Sequence, residues 1–273
     1  MEIDAPIWKR AVLRACSSRY FRRRCRTANG VFEAYVSVNS GLGVLDFRKS
    51  LVAAAHERFI REWVDADAVV WDIGANLGLF GLPAALKATR GGVYMFEPDV
   101  ELAGNLLRSV RLKTNKKLNA RTVCVAVSNA DGVQTFQISK LSRAMNKLET
   151  VGKFRENQIV VEELRPVVTM RIDSLSKFLT PPTVLKIDVE GAEVDVLEGG
   201  SATIAKHRPT ILVEGPQELW GPMQAFFERH HYVLLDGSVE DKSPLAHPLW
   251  DTVAVPAERF QQSPARSARS RAG

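Results

Sequence analysis

Five carboxylates and a short glycine run carry most of the chemistry this sequence can offer. The segment VVWDIGANLGLFGLPAA, residues 69 to 85, sets Asp72 ahead of Gly74, Ala75, Asn76 and Gly78 in an Asp-x-Gly-x-Asn-x-Gly spacing. A strand ending at Asp72, a glycine-rich turn and a helix opening near Leu79 would let backbone approach a ligand and present free N–H groups. Nineteen residues past Gly78, Glu97 precedes Pro98 at the end of the next predicted strand. A carboxylate there can accept hydrogen bonds from both hydroxyls of a ribose, so turn and acid together predict an adenosine-type cofactor. Singly, Asp72 also reads as a turn former and Glu97-Pro98 as a strand stop. The spacing departs from the G-x-G-x-x-G of dinucleotide sites, and Asp72 would repel a pyrophosphate while suiting a cationic amino-acid moiety. S-adenosylmethionine is therefore favoured over a nicotinamide or flavin dinucleotide.

The second cluster is KIDVEGAE, residues 186 to 193, with Lys186, Asp188, Glu190 and Glu193 around a strand end. Ligands of open α/β sheets bind outside the carboxyl ends of strands, which sets Asp188 and Glu190 beside the cofactor's reactive end. Glu190 reads equally well as a favourable charge at the next helix N-terminus. Glu193 and Glu198 are expected on a solvated helix face, and Lys186 in an ion pair inside the sheet. Glu214, closing TILVE, is a third carboxylate on the same rim. Asp188, Glu190 and Glu214 could hold a divalent ion, although no histidine joins them and no metal is assigned. Of the five histidines, only His56 stands where it could act as a base.

These residues need elements to position them. Short apolar runs at 68–73, 92–97, 121–127, 183–189 and 210–214 read as strands buried on both faces, with helices over 78–88, 99–113, 191–199 and 217–230. An α/β doubly wound domain results. Segments 231–235 and 250–255 are too close together for a helical crossover and predict an antiparallel pair at the sheet edge. Residues 139–165, between strands at 133–138 and 167–172, read as a long insertion, a lid or a disordered loop. Upstream, 50–64 predicts a helix, 31–38 a strand, and 6–26 a basic amphipathic helix with Trp8, Val12, Cys16 and Tyr20 in one stripe.

DIGANLG, FEP and LKIDVEGAE, in this order, resemble the FkbM family of S-adenosylmethionine-dependent methyltransferases over roughly residues 50 to 256. The resemblance implies a Rossmann-like class I methyltransferase fold, mostly parallel and seven-stranded with a reversed edge strand. It implies that Asp72, Gly74, Ala75, Asn76 and Gly78 line the methionine side of the cofactor, that Glu97 with Pro98 holds the ribose, and that Val125 to Val127 and Ser128 flank the adenine. Asp131 could accept from the adenine amine or form a turn with Gly132. Methyl transfer asks the protein to align a nucleophile and remove its proton, and Asp188 followed by Glu190 is nominated for that. The strand ends in IDVEG, without the Asn/Asp-Pro-Pro-aromatic turn of nucleobase amine methylation. A hydroxyl on a sugar, glycan, polyketide, lipid or other small metabolite is the acceptor the resemblance implies.

Charge supports that choice. The chain has 37 Lys and Arg against 31 Asp and Glu, net +6, yet eight basic residues crowd positions 1–27 and three arginines positions 264–273, leaving residues 28–263 at −3. Such a body lacks the basic face that nucleic acid requires. Three cysteines without CxxC spacing predict a reducing, cytoplasmic setting. The expected divisions are an N-terminal extension over 1–65, a catalytic domain over 66–256 and a disordered basic tail over 257–273. Residues 1–27 either pack on the domain or touch an anionic membrane surface. The competing classes are a nicotinamide-dependent oxidoreductase and a non-catalytic, membrane-associated binding module.

Overall fold

Apolar strands buried on both faces form the centre of the molecule. The computed structural model describes residues 20–37, 50–139, 146–149 and 161–261. The described residues open with a hairpin, β1 (Tyr20–Thr27) and β2 (Gly30–Ser37), then α1 (Ala54–Trp63), β3 (Val69–Ile73), α2 (Gly81–Lys87), β4 (Gly92–Phe96), α3 (Val100–Val110) and β5 (Ala120–Val123). It continues through β6 (Ala126–Val127), β7 (Gly132–Ser139), β8 (Lys147–Leu148), β9 (Val161–Met170), α4 (Ile172–Leu175), β10 (Val184–Ile187), α5 (Glu193–Glu198) and α6 (Ser201–His207). It closes with β11 (Thr210–Glu214), α7 (Trp220–Arg229), β12 (Tyr232–Asp236), β13 (Asp251–Pro256) and α8 (Ala257–Gln261).

The main sheet has seven strands in the order β12-β13-β11-β10-β3-β4-β5. Neighbours from β11 to β5 run parallel, while β13 is antiparallel to both β11 and β12. The reversed strand is thus one place in from the edge rather than on it: β13 slots between β11 and β12 and leaves β12 outermost. One face, with Val70, Met95, Val184 and Leu212, packs under α1, α2, α3 and the hairpin. The other, with Trp71, Phe96, Leu185 and Ile211, packs under α4 to α7.

Four further sequence expectations change. Residues 20–26, placed on a basic helix, form β1, where Arg23 and Cys25 turn inward at period two and the two-residue turn Ala28-Asn29 closes the hairpin. The remainder of that predicted helix lies outside the described residues. Residues 121–127 are two strands: β5 ends the main sheet at Val123, and β6 pairs with β9 in a second sheet of order β6-β9-β7-β8. Part of the 139–165 insertion is ordered as β8 and the start of β9, because β7 and β9 pair as a long antiparallel ladder. Residues 257–261, assigned above to the tail, are helical, and the rest of the tail lies outside the described residues. Among the described residues no helix is long and apolar enough to cross a membrane.

Candidate active site

The carboxyl ends of β3, β4 and β10 leave a cleft of about 690 Å³. Its floor is the turn after β3. Gly74 (φ +78°) and Asn76 (φ 48°) are left-handed, and the N–H groups of Gly74 and Ala75 both donate to Phe96 O, at 3.1 and 3.0 Å. A Cβ on Gly74 would sit 1.9 Å from Asp188 O, so this position needs glycine for both φ and space. The turn therefore brings the ends of β3, β4 and β10 together.

Glu97 is 5% exposed, with Oε2 accepting from Asn76 N–H and Oε1 from Asp99 N–H, each at 2.9 Å. Burial raises its carboxyl to about 7, against the two backbone hydrogen bonds that favour ionisation. Each oxygen retains a lone pair, and Glu97 lines the cleft. Asn76 also lines it, and its Oδ1 is buried with no hydrogen-bond partner among the described residues.

Asp188 and Glu190 line the opposite end of the cleft. Lys186 Nζ donates to Asp188 Oδ2 at 2.9 Å and lies 3.6 Å from Asp72 Oδ1, the intrasheet pairing expected for this lysine. Burial works against the Lys186 ammonium, but Asp188, Asp72 and Glu214 outweigh it and hold the group charged, above its ordinary range. The loop around Glu190 (φ 53°) is pinned by Glu193, whose Oε1 accepts from Val189 and Gly191 N–H at 3.2 and 3.1 Å. Glu193 is 1% exposed, not on a solvated helix face, and burial raises its carboxyl. Glu198 is exposed and pairs with Arg229, as a solvated residue should.

Gly74, Asn76, Glu97, Pro98, Val125, Ala126 and Val127 line the cleft; Asp72, Ala75, Gly78 and Ser128 do not. Asp72 is fully buried on the opposite face of the sheet, where a Cβ on Gly81 would approach its Oδ2 at 2.8 Å. Burial pushes its carboxyl up, with Lys186 pulling the other way. Strand alternation is the reason: Ile73 faces the cleft, so Asp72 cannot. Ala75 contributes backbone only, Gly78 makes room for Leu106 and Leu82, and Ser128 donates its N–H to Met170 O. Asp131 accepts from Ser174 Oγ and Arg171 N–H, which hold its carboxyl at about 2 and tie the loop before β7 to α4. Glu214 lies beyond the cleft, bonded to His56 at 2.6 Å. Asp188, Glu190 and Glu214 do not converge as a metal-ligand group; none of three or more such side chains occurs among the described residues.

The remaining wall comes from the second sheet. Phe136 of β7 and Asn146 and Leu148 at β8 face the cleft. Asn146 Nδ2 donates to Asp99 Oδ2 at 3.1 Å, and the Arg165 guanidinium donates to Asp99 Oδ1 at 3.0 Å, fastening the second sheet to the head of α3. Asp99, directly after FEP, also caps α3 by accepting from Glu101 N–H at 2.9 Å, and its other partners lie across a long insertion.

Residues 72–234 match the family model described as the methyltransferase FkbM domain. The hexuronic acid methyltransferase AglP of Haloferax volcanii is 27% identical over 143 residues, 52% of this chain and 54% of that protein. Methyltransferase 1 of Beauveria bassiana is 27% identical over 145 residues, 49% of this chain and 58% of its own length. These matches span about half of each relative. A crystal structure of an FkbM methyltransferase from Methylobacillus flagellatus aligns with TM-score 0.49 at 17% identity, over 74% of this chain and 48% of that one.

Proposed function

The chain belongs to the FkbM methyltransferase family, and from that premise we propose that it methylates an oxygen atom of a sugar or another small hydroxylated metabolite. Membership implies S-adenosylmethionine as the methyl donor, which supplies an electrophilic methyl carbon on a sulfonium when bound. The observation that carries the reading is Glu97, a buried carboxylate clamped by two backbone N–H groups with spare lone pairs toward the cleft.

The cleft residues suit such a ligand. Glu97 would accept from the ribose hydroxyls, and the unpartnered Asn76 Oδ1 would take a donor beside it. Val127, Phe136 and Leu148 offer an apolar slot for a flat base. At the far end, Asp188 and Glu190 place negative charge where a cationic amino-acid portion and sulfonium would lie. Among the described residues, the titratable side chains lining the cleft are all acidic, which favours a cationic donor and disfavours a pyrophosphate. The Haloferax volcanii relative is named for action on a hexuronic acid, a substrate whose nucleophilic atoms are all oxygens; this supports oxygen as the acceptor atom.

Calorimetry with S-adenosylhomocysteine tests the cofactor site. Glu97→Ala is expected to weaken binding by about 1.5–3 kcal/mol, the usual value of hydrogen bonds to a charged group. Unchanged affinity would remove Glu97 from ribose recognition.

A further inference from the structure

On the side of Asp188 away from Glu97, a histidine and a carboxylate meet at the rim of the sheet. His56 Nε2, on α1, lies 2.6 Å from Glu214 Oε1, at the end of β11. The strand order β11, β10, β3, β4 ranks the rim as Glu214, Asp188, Gly74 and Glu97, in steps of about 4.8 Å. The pair is thus one strand beyond the acidic end of the cleft and three beyond the ribose carboxylate.

Burial pushes Glu214 up, but the His56 hydrogen bond and the Lys186 charge outweigh it and hold the carboxyl below its ordinary range. An ionised carboxylate only accepts, so Nε2 carries the shared proton, and in the neutral ring Nδ1 keeps the lone pair. Nδ1 makes no hydrogen bond among the described residues. The His56 and Glu214 side chains are 15% and 17% exposed, open to a small molecule without being solvated freely. The imidazole stands edge-on to Phe80 at 5.3 Å, which fixes its plane. Asp188, by contrast, already commits Oδ2 to Lys186.

We propose that His56, oriented by Glu214, takes the proton from the acceptor hydroxyl during methyl transfer. This rests on the methyltransferase reading above and names the base within it. The acceptor oxygen bonds to the methyl carbon as the carbon–sulfur bond of the sulfonium donor breaks and its electron pair returns to sulfur. The hydroxyl proton passes to Nδ1 and leaves an imidazolium paired with the Glu214 carboxylate, so the donor's positive charge reappears on His56. Asp72 on β3, Glu214 on β11 and Asp251 on β13 are the charged groups that act on His56 from the packed strands, with Lys186 on β10 behind Glu214. Glu214 is a positioning residue.

The test uses the full chain, His56→Gln and Glu214→Gln, with three readouts. Calorimetry measures S-adenosylhomocysteine binding, and release of that product is followed with p-nitrophenyl β-glucuronide and p-nitrophenyl β-glucoside as acceptor probes. Histidine NMR follows the His56 ring. The proposal expects His56→Gln to bind the product within about twofold of the parent while turnover falls about 10²–10⁴-fold. It expects the parent ring to carry its proton on Nε2, facing Glu214, and the ring nitrogen resonances to move in Glu214→Gln. Turnover retained in His56→Gln, or a loss matched by an equal loss of binding, would overturn it. So would a His56 ring that carries its proton on Nδ1 or does not respond to Glu214→Gln, and this readout decides the matter if neither probe is turned over. A parent protein that fails to bind S-adenosylhomocysteine would sink the underlying methyltransferase reading instead.

Discussion

At the scale of single residues, the site depends on where charge is tolerated. Glu97 is raised to about 7 from an ordinary 4.5 because burial outweighs two N–H donors. A raised carboxyl pKa means that the folded protein holds a proton the unfolded chain has lost. This contribution to stability is therefore present below about pH 4.5 and is lost as pH rises through about 7. Ribose hydroxyls donate, so binding favours the ionised form and must expel that proton. S-adenosylhomocysteine affinity is expected to rise between about pH 6 and 7 and level off above, with proton release visible as a buffer-dependent heat at pH 6. A Glu97→Gln protein should lose the slope; a parent affinity flat across this range would show that the carboxyl does not titrate there.

At the scale of elements, the turn after β3 is the least replaceable piece of the site. Gly74→Ala combines a left-handed φ, worth about 1–2 kcal/mol, with a Cβ driven 1.9 Å from Asp188 O. It should destabilise by about 3 kcal/mol or more once overpacking is added and displace the Asp188 loop. Gly104, on the exposed side of α3 with nothing within 4 Å of its Cβ position, is the opposite case. Gly104→Ala should stabilise by about 0.4–1 kcal/mol, since alanine is the better helix former and restricts the unfolded chain. Urea denaturation of the two variants gives opposite signs if these environments are as described.

At the scale of the molecule, the site is held by contacts between parts distant in sequence. The hairpin docks through β2: Asn115 Nδ2 donates to Glu33 O, Asn115 Oδ1 accepts from Glu33 N–H, and Ser109 Oγ accepts from Tyr35 N–H. These bonds satisfy an otherwise open strand edge. The second sheet docks through Arg165 and Asn146 on Asp99, and its Phe136 and Leu148 complete the cleft. Arg165→Met leaves the buried Asp99 short of a charged donor. Stability should fall by about 1.5–3 kcal/mol, with a parallel loss of S-adenosylhomocysteine affinity as the wall loosens; denaturation and calorimetry on the same variant test both.

The sequence by itself determined the parallel sheet, the turn from Asp72 to Gly78, the carboxylate at Glu97 and the acidic rim at Asp188 and Glu190. These are local signals: apolar runs, glycine spacing and acids at strand ends lie within a few residues of one another. Only the tertiary structure decided which face each side chain takes, turning Asp72 to a buried pair with Lys186 and Glu193 inward to pin its own loop. It also decided the partners across the chain, His56 with Glu214 and Asp99 with Asn146 and Arg165. A side chain's direction depends on strand register and its partner on how the sheets stack, and neither is written in the spacing of neighbouring residues.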